Sequence, residues 1–384
     1  MYLRVFKEDI FEGVMKASSI VSQKTGASYL RTVWLKAEEE TLSIMSTDSN
    51  MEFTGVYKAS VLENGIVGVG GKKFNELIKK LKPGEIIFKA DMEQNVLIIQ
   101  QEKRRYKVPT TDSSWFPEME SFPGENNVLW SGEIIKEIIE KSFFCISDDD
   151  TMGGMTCLKM VPVSGDQVEN CGFNGHNMSL YTFRNDSVYE ILPAQGLLIP
   201  KKYLVELRKW LILGEVELSV SPERFFIRTE DMKECISLPL SFDDYPDYHE
   251  IIDKYKDSLS SVLKINRVEL MESLERILIF STELNKSALF RLSPEEVEMV
   301  STAVEAGEAN EVLNCSFQGD LEEIVFNVKS LLEILGHFNS KEVELHFSGQ
   351  VGPCKVIGLD DPDYFVVTMP VEIEEDTYYT EEEE

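Results

Sequence analysis

Apolar residues recur along the chain with two periods. In "PKKYLVELRKW" (200–210) Tyr203, Leu204, Leu207, Trp210 and the following Leu211 are spaced by three and four residues, which predicts a helix with one apolar face. Its other face collects Lys201, Lys202, Arg208 and Lys209. The segment "GKKFNELIKKLKPGEIIFKAD" (71–91) has the same plan, with Phe74, Leu77, Ile78 and Leu81 on one side and Lys72, Lys73, Lys79, Lys80 and Lys82 spread over the other. A third copy, "NVKSLLEILGHFNSKEVELHF" (327–347), keeps only Lys329 and His337 as basic contributors on its helix. Each Lys-led helix gives way to a break and then to an alternating run that predicts a strand. The three copies recur at intervals of about 130 residues.

Other elements repeat with them. "EDIFEGVMKASSIVS" (8–22), "GEIIKEIIEKSFFCIS" (132–147) and "NRVELMESLERILIFS" (266–281) also carry apolar residues at helical spacing, each ahead of its Lys-led partner. Between the helices, runs such as "RTVWLKA", "TLSIMST" and "MEFTGVY" predict strands bounded by polar turns. Pro-aromatic segments, "SWFPEM", "DYPDYHE" and "DDPDYFVVTMP", punctuate the end of each repeat. The pattern predicts an α+β fold of three repeated two-helix, antiparallel-sheet domains, with amphipathic helices covering one face of the sheet. The domains run over 1–123, 124–254 and 255–373, with boundaries near "SFPGENN" (121–127) and "DKYKDSLSS" (253–261). The acidic, low-complexity residues 374–384 predict a disordered tail.

Charge changes this picture. At 43% hydrophobic and 28% charged, the chain has the composition of a folded protein. Its formal net charge of −30 argues against general affinity for nucleic acid or membrane, because phosphates are repelled on average. A basic helix face is usually no more than solvated surface. Two such faces, at matching places in the repeats of an acidic chain, point instead to a local site for phosphates. No apolar run approaches the roughly 18–20 residues of a membrane span, and the N-terminus has no secretory signal. Six widely spaced cysteines without a CxxC pair imply reduced thiols in a cytoplasm, not zinc or a disulfide framework.

Catalytic chemistry is sparse. "GIVGVGGKKF" (65–74) departs from a P-loop at Ile66 and Lys73 and predicts a turn before a helix. The four histidines lack zinc-hydrolase spacing, and Asn174-Gly175-His176 predicts a tight turn. No cofactor, metal or catalytic residue is expected. A metal-dependent hydrolase using Asp148–Asp150 and His176 is the competing reading from another class.

The order of several short motifs resembles the bacterial sliding clamp family, the beta subunit of replicative DNA polymerase III. "STDSNMEF" (46–53), "FNGHNMSL" (173–180), "LIPKKYLVEL" (198–207), "YPDYHEII" (245–252), "FNVKSLLEIL" (326–335) and "VVTMPVEI" (366–373) are each similar to family segments at matching places. The resemblance covers all but the last dozen residues. It implies a head-to-tail homodimeric ring, helices inside and sheets outside, that encloses duplex DNA without reading its sequence. Lys72, Lys73, Lys79, Lys80, Lys201, Lys202, Arg208, Lys209 and Lys329 would then face DNA. It also implies a hydrophobic pocket for short peptides of the DNA polymerase III alpha subunit, the clamp loader, and other polymerases and repair proteins. By position Met152, Phe173, Gly175, His176 and Met178 line that pocket, together with Pro246, Ile251, Val367, Met369, Pro370 and Val371. Subunit contact is implied for Tyr106 and Val108, on an edge strand in "RRYKVP" (104–109), against Ile279 and Phe280.

Three departures qualify the resemblance. Phe173 and Asn174 replace a usual Thr-Asp, Asn177 an Arg, and Glu250 and Glu372 stand where bases are common. The rim is therefore expected to be acidic and, with the tail, to favour partners with basic flanks; Tyr378 and Tyr379 are the weaker alternative, a local competitor for the pocket. The weak third basic helix leaves open a clamp-like scaffold that does not load on DNA.

Overall fold

The computed structural model describes residues 1–21, 28–211, 214–281, 286–303 and 307–371; the acidic tail lies outside them. Its helices are α1 (Lys7–Ile20), α2 (Gly71–Lys80), α3 (Gly132–Phe143), α4 (Asp186–Ile191), α5 (Lys201–Trp210), α6 (Tyr248–Lys256), α7 (Arg267–Ile279) and α8 (Val328–Gly336). Six fall on the predicted helical segments. Two do not: α4 is short, and α6 starts inside the Pro-aromatic segment that read as punctuation. The side chain of Asp247 accepts a hydrogen bond from Glu250 N at 3.0 Å, so the residue after Pro246 is an N-cap.

The apolar stripes are the buried faces. On α2, Phe74 and Ile78 are buried; on α5, Tyr203, Leu204, Leu207 and Trp210; on α8, Val328, Leu331, Ile334 and Leu335. Each large side chain so buried contributes about 1.5–3 kcal/mol. Phe74 meets Phe88 edge to face with ring centres 5.9 Å apart.

Strands Thr32–Glu38, Thr41–Thr47 and Glu52–Lys58 pair antiparallel, as their alternation predicts. The glycine-rich stretch before α2 differs from expectation. Gly65–Gly70 is a strand that runs straight into the helix. A Cβ on Gly68 would lie 2.8 Å from the Trp34 ring, so glycine serves close packing there, not a turn. In "STDSNMEF", Asp48 Oδ1 accepts from the amides of Asn50 and Met51, which shapes the turn. Glu52 lies 3.7 Å from the Arg224 guanidinium, which also donates to Asn50 O and to Ser237 Oγ, both at 2.7 Å. A charge this buried persists only when so surrounded.

The chain divides into two compact units, residues 1–139 with 186–242, and 140–185 with 243–384. Within the first, strand Glu234–Pro239 pairs with Glu52–Lys58, placing Ile236 opposite Phe53. Within the second, Asn177–Arg184 pairs with Asp361–Thr368, placing Leu180 opposite Phe365. Strands of the middle repeat thus extend the sheets of the first and the third. The division follows hydrogen bonding between distant segments, not the repeat boundaries.

Candidate functional site

The lysines of α2 stand opposite its buried stripe. Lys72, Lys73, Lys79, Lys80 and the following Lys82 are all exposed. Lys79 and Lys80 occupy the last turn, where the negative end of the helix dipole favours cations. Lys7, which the periodicity did not single out, adds charge at the same place. Its ammonium donates to Lys79 O at 3.2 Å and Leu81 O at 2.5 Å, tying the start of α1 to the end of α2. On α5, Lys202 and Lys209 are exposed and Lys201 and Arg208 are half-exposed. Lys209 lies 2.7 Å from Glu206, so part of its charge is locally compensated. α1 packs against both α2 and α5. On α8 only Lys329 is exposed with a positive charge, while the His337 ring stacks on Phe144 at 4.4 Å. A cleft of about 740 Å³ beside α1 does not suit phosphate, because its carboxylates outnumber its three lysines, Lys16, Lys58 and Lys233. Glu8, Asp9, Glu12, Glu215, Glu230 and Asp231 line it.

The expected pocket residues lie around two strands of the second unit. The turn after Phe173 is set by Asn174, whose Oδ1 accepts from His176 N at 3.0 Å and Asn177 N at 2.8 Å, and Gly175 takes φ +89°. Met152 lies against that turn, since a Cβ on Gly175 would be 3.5 Å from its methyl. Met369 N donates to His176 O at 3.0 Å, and Thr368 Oγ1 to Asn177 Oδ1 at 2.7 Å, so the terminal strand is fastened to the turn. Asn177 in turn donates to Ser330 on α8 at 3.1 Å. Val371 N donates to Val325 O at 2.9 Å. Met178 is buried with Cys171, Leu180 and Tyr248, and Phe173, Ile252 and Val367 pack against them. Pro246, Ile251 and Pro370 are half-buried, and His176, Met369 and Val371 are exposed at the rim.

Beside this cluster is a small cavity of about 60 Å³ lined by Ile252, Tyr255, Lys256, Leu259, Pro353, Lys355 and Val367. Sequence reasoning found Val367 and missed the rest. A signal existed: residues 252, 255, 256 and 259 recur at helical spacing along "IIDKYKDSL". The acidic-rim expectation also changes here. Glu250 is held by Lys254 at 2.9 Å, and the charges lining the cavity are lysines. Glu372 lies outside the described residues.

Tyr106 and Val108 are half-buried on strand Arg104–Thr111. Residues 104–109 pair with 96–101, and only Thr110 and Thr111 also meet the strand of Gly68 and Val69. Ile279 is 74% exposed, and Phe280 lies 3.7 Å from the Cβ position of Gly307.

Asp149 is a cap whose carboxyl accepts from Thr151 N at 2.9 Å and Thr151 Oγ1 at 2.7 Å, bonds that lower its pKa. Burial pushes the Cys171 thiol up to about 12, where it is no nucleophile. Among the described residues no three His, Cys, Asp or Glu side chains are placed to hold a metal, and no helix is long and apolar enough to cross a membrane.

Comparison with known proteins gives one consistent answer. The beta sliding clamp of Pseudomonas aeruginosa is 23% identical over 377 residues, covering 97% of this chain and 100% of that protein. That of Rickettsia bellii is 26% identical over 373 residues, covering 93% and 96%. Among solved structures, pol III beta of Caulobacter crescentus superimposes with a TM-score of 0.89 at 22% identity, covering 97% of this chain and 100% of that one. A sliding clamp of Bartonella birtlesii bound to griselimycin superimposes at 0.88 with 21% identity and the same coverage. Residues 1–120 match the family model described as DNA polymerase III beta subunit, N-terminal domain, and residues 257–372 the corresponding C-terminal domain. These matches together span more than half of the chain, which therefore belongs to the DNA polymerase III beta subunit family of sliding clamps.

Proposed function

We propose that the chain is a DNA sliding clamp, the non-catalytic processivity factor of DNA polymerase III, built of three domains (1–123, 124–254 and 255–373). The observation that carries this is the pair of lysine faces on α2 and α5 in a chain of net charge −30. Lysines that touch only phosphate hold DNA without reading bases, which lets the protein slide. An acidic exterior discourages binding elsewhere. Two copies joined head to tail would close a ring around the duplex. The strand edge at 104–109 and the exposed Ile279 are surfaces that such a contact would cover. The cluster of Met178, Phe173, Val367 and Met369 suits a short apolar peptide anchor, the form in which the polymerase alpha subunit, the clamp loader and other polymerases and repair proteins would attach. Such a protein works in the cytoplasm, on the chromosome.

Retention on nicked circular DNA, with loss from the same DNA once linearised, tests encirclement. Equal retention on both would end the ring reading. The sparse charge of α8 favours a second reading, a scaffold that binds partners but not DNA, and loss from both forms would support it. For the pocket, Met369→Ala with His176→Ala should weaken polymerase-derived peptides by about 2 kcal/mol or more with the dimer intact. A titration indifferent to both changes would move the pocket elsewhere.

A further inference from the structure

The small cavity beside Met178 has an unusual charge. Its walls are apolar (Ile252, Leu259, Pro353 and Val367), and its two charges are Lys256 and Lys355. Neighbouring Lys254 is paired with Glu250, but neither Lys256 nor Lys355 has a carboxylate partner among the described residues. Lys355 is half-buried with its ammonium 4.0 Å from the Phe365 ring centre, and burial alone lowers its pKa, because the charged form loses water and gains no counter-ion. The chain has 68 acidic residues against 38 basic ones, so two unpaired cations on an apolar cavity are a place for an acidic, partly apolar ligand.

We propose that the chain's own segment 372–384 docks over the mouth of this cavity, with the Tyr378–Tyr379 pair against its apolar rim and flanking carboxylates on Lys256 and Lys355. The segment holds seven Glu, one Asp and no base around those two tyrosines. Its reach is sufficient. Val367, in the cavity wall, is four residues before Val371, at most about 14 Å along an extended strand, whereas Tyr378 is seven residues beyond Val371 and can extend about 24 Å. A tether this short gives an effective concentration in the millimolar range, so a weak contact is populated despite the ordering entropy. The segment then competes with partner peptides, which reverses the sign expected from an acidic rim. This competition rests on the peptide-pocket reading above; the docking itself does not.

The test titrates a synthetic peptide of residues 372–384 into full-length protein and into protein ending at Val371. The truncated form should bind it several-fold more tightly, because the full chain is already self-occupied. Lys256→Gln with Lys355→Gln should weaken that binding about tenfold, and raised salt should act in the same direction. Lys256→Arg with Lys355→Arg, which keeps the charges, should retain it and guards against a folding defect. Full-length Tyr378→Ala with Tyr379→Ala should behave like the truncation. Equal binding by the two chains, or binding unchanged by the Gln pair, would overturn the proposal. No DNA or polymerase peptide enters this titration, so a clamp that fails to retain DNA would leave its outcome unaltered.

Discussion

α2 and α8 occupy matching places in the first and third repeats, and each follows directly on a strand. Their buried faces are alike, Phe74 and Ile78 in one, Leu331, Ile334 and Leu335 in the other. Their polar faces are not. α2 has no side-chain cap and presents four exposed lysines. α8 is capped by Asn327, whose side chain accepts from Ser330 N at 3.0 Å, and Ser330 Oγ also accepts from Asn177. Packing constrains the core face in every copy. The polar face diverges: on α8 part of it is bonded to Asn177, at the end of the Asn174 turn, whereas on α2 it is left to solvent and carries charge.

The largest effect should come from erasing that charge. Changing Lys72, Lys73, Lys201, Lys202 and Lys209 to Ser should flatten the slope of log affinity against log salt by up to about 4–5, whereas Lys329→Ser on α8 should change it by at most about 1. DNA retention measured across a salt series gives both slopes, and equal slopes would erase the contrast. The shared core face predicts similar damage in both repeats. Phe74→Ala should cost about 3–5 kcal/mol and Leu331→Ala about 2–5 kcal/mol in urea unfolding. A loss below 1 kcal/mol at either site would mean that its stripe is not packed as described.

Smaller changes separate the helix starts. Asn327→Ala should cost about 1 kcal/mol, because Ser330 N loses its acceptor, while Gly70→Ala has no cap bond to lose and should cost less. Peptide affinity should fall with the first change only, through Ser330 and Asn177. The smallest expected effect is a gain. Glu333→Lys on the exposed side of α8 should steepen the salt slope by about 1 and strengthen retention slightly at low salt. No gain would mean that α8 does not face DNA.

Much of this was legible in the sequence because it is local. Tyr203, Leu204, Leu207 and Trp210 mark a buried face by spacing alone, and Lys202 and Lys209 on the other side are then exposed by elimination. The Asn174 turn was legible for the same reason, since its hydrogen bonds stay within three residues. α6 reads as punctuation, because Pro246 and the aromatic residues around it resemble a turn, and the helical spacing at 252, 255 and 256 covers little more than one turn. Gly68, before α2, misled, because its need for close packing comes from Trp34, more than thirty residues away in the chain.

What the sequence determined by itself is therefore the repeat, the helix faces and the placement of charge on them, since helical and strand periods are properties of neighbouring residues. Tertiary structure alone decided which strands complete the middle repeat, joining Asn177 to Thr368 across 191 residues. It also decided which charges find partners. Glu250 and Lys254 meet one helical turn apart, but that Lys256 and Lys355 have no carboxylate partner among the described residues depends on every surface folded around them. Pairing between distant segments is set by the free energy of the whole packed core, and no local period records it.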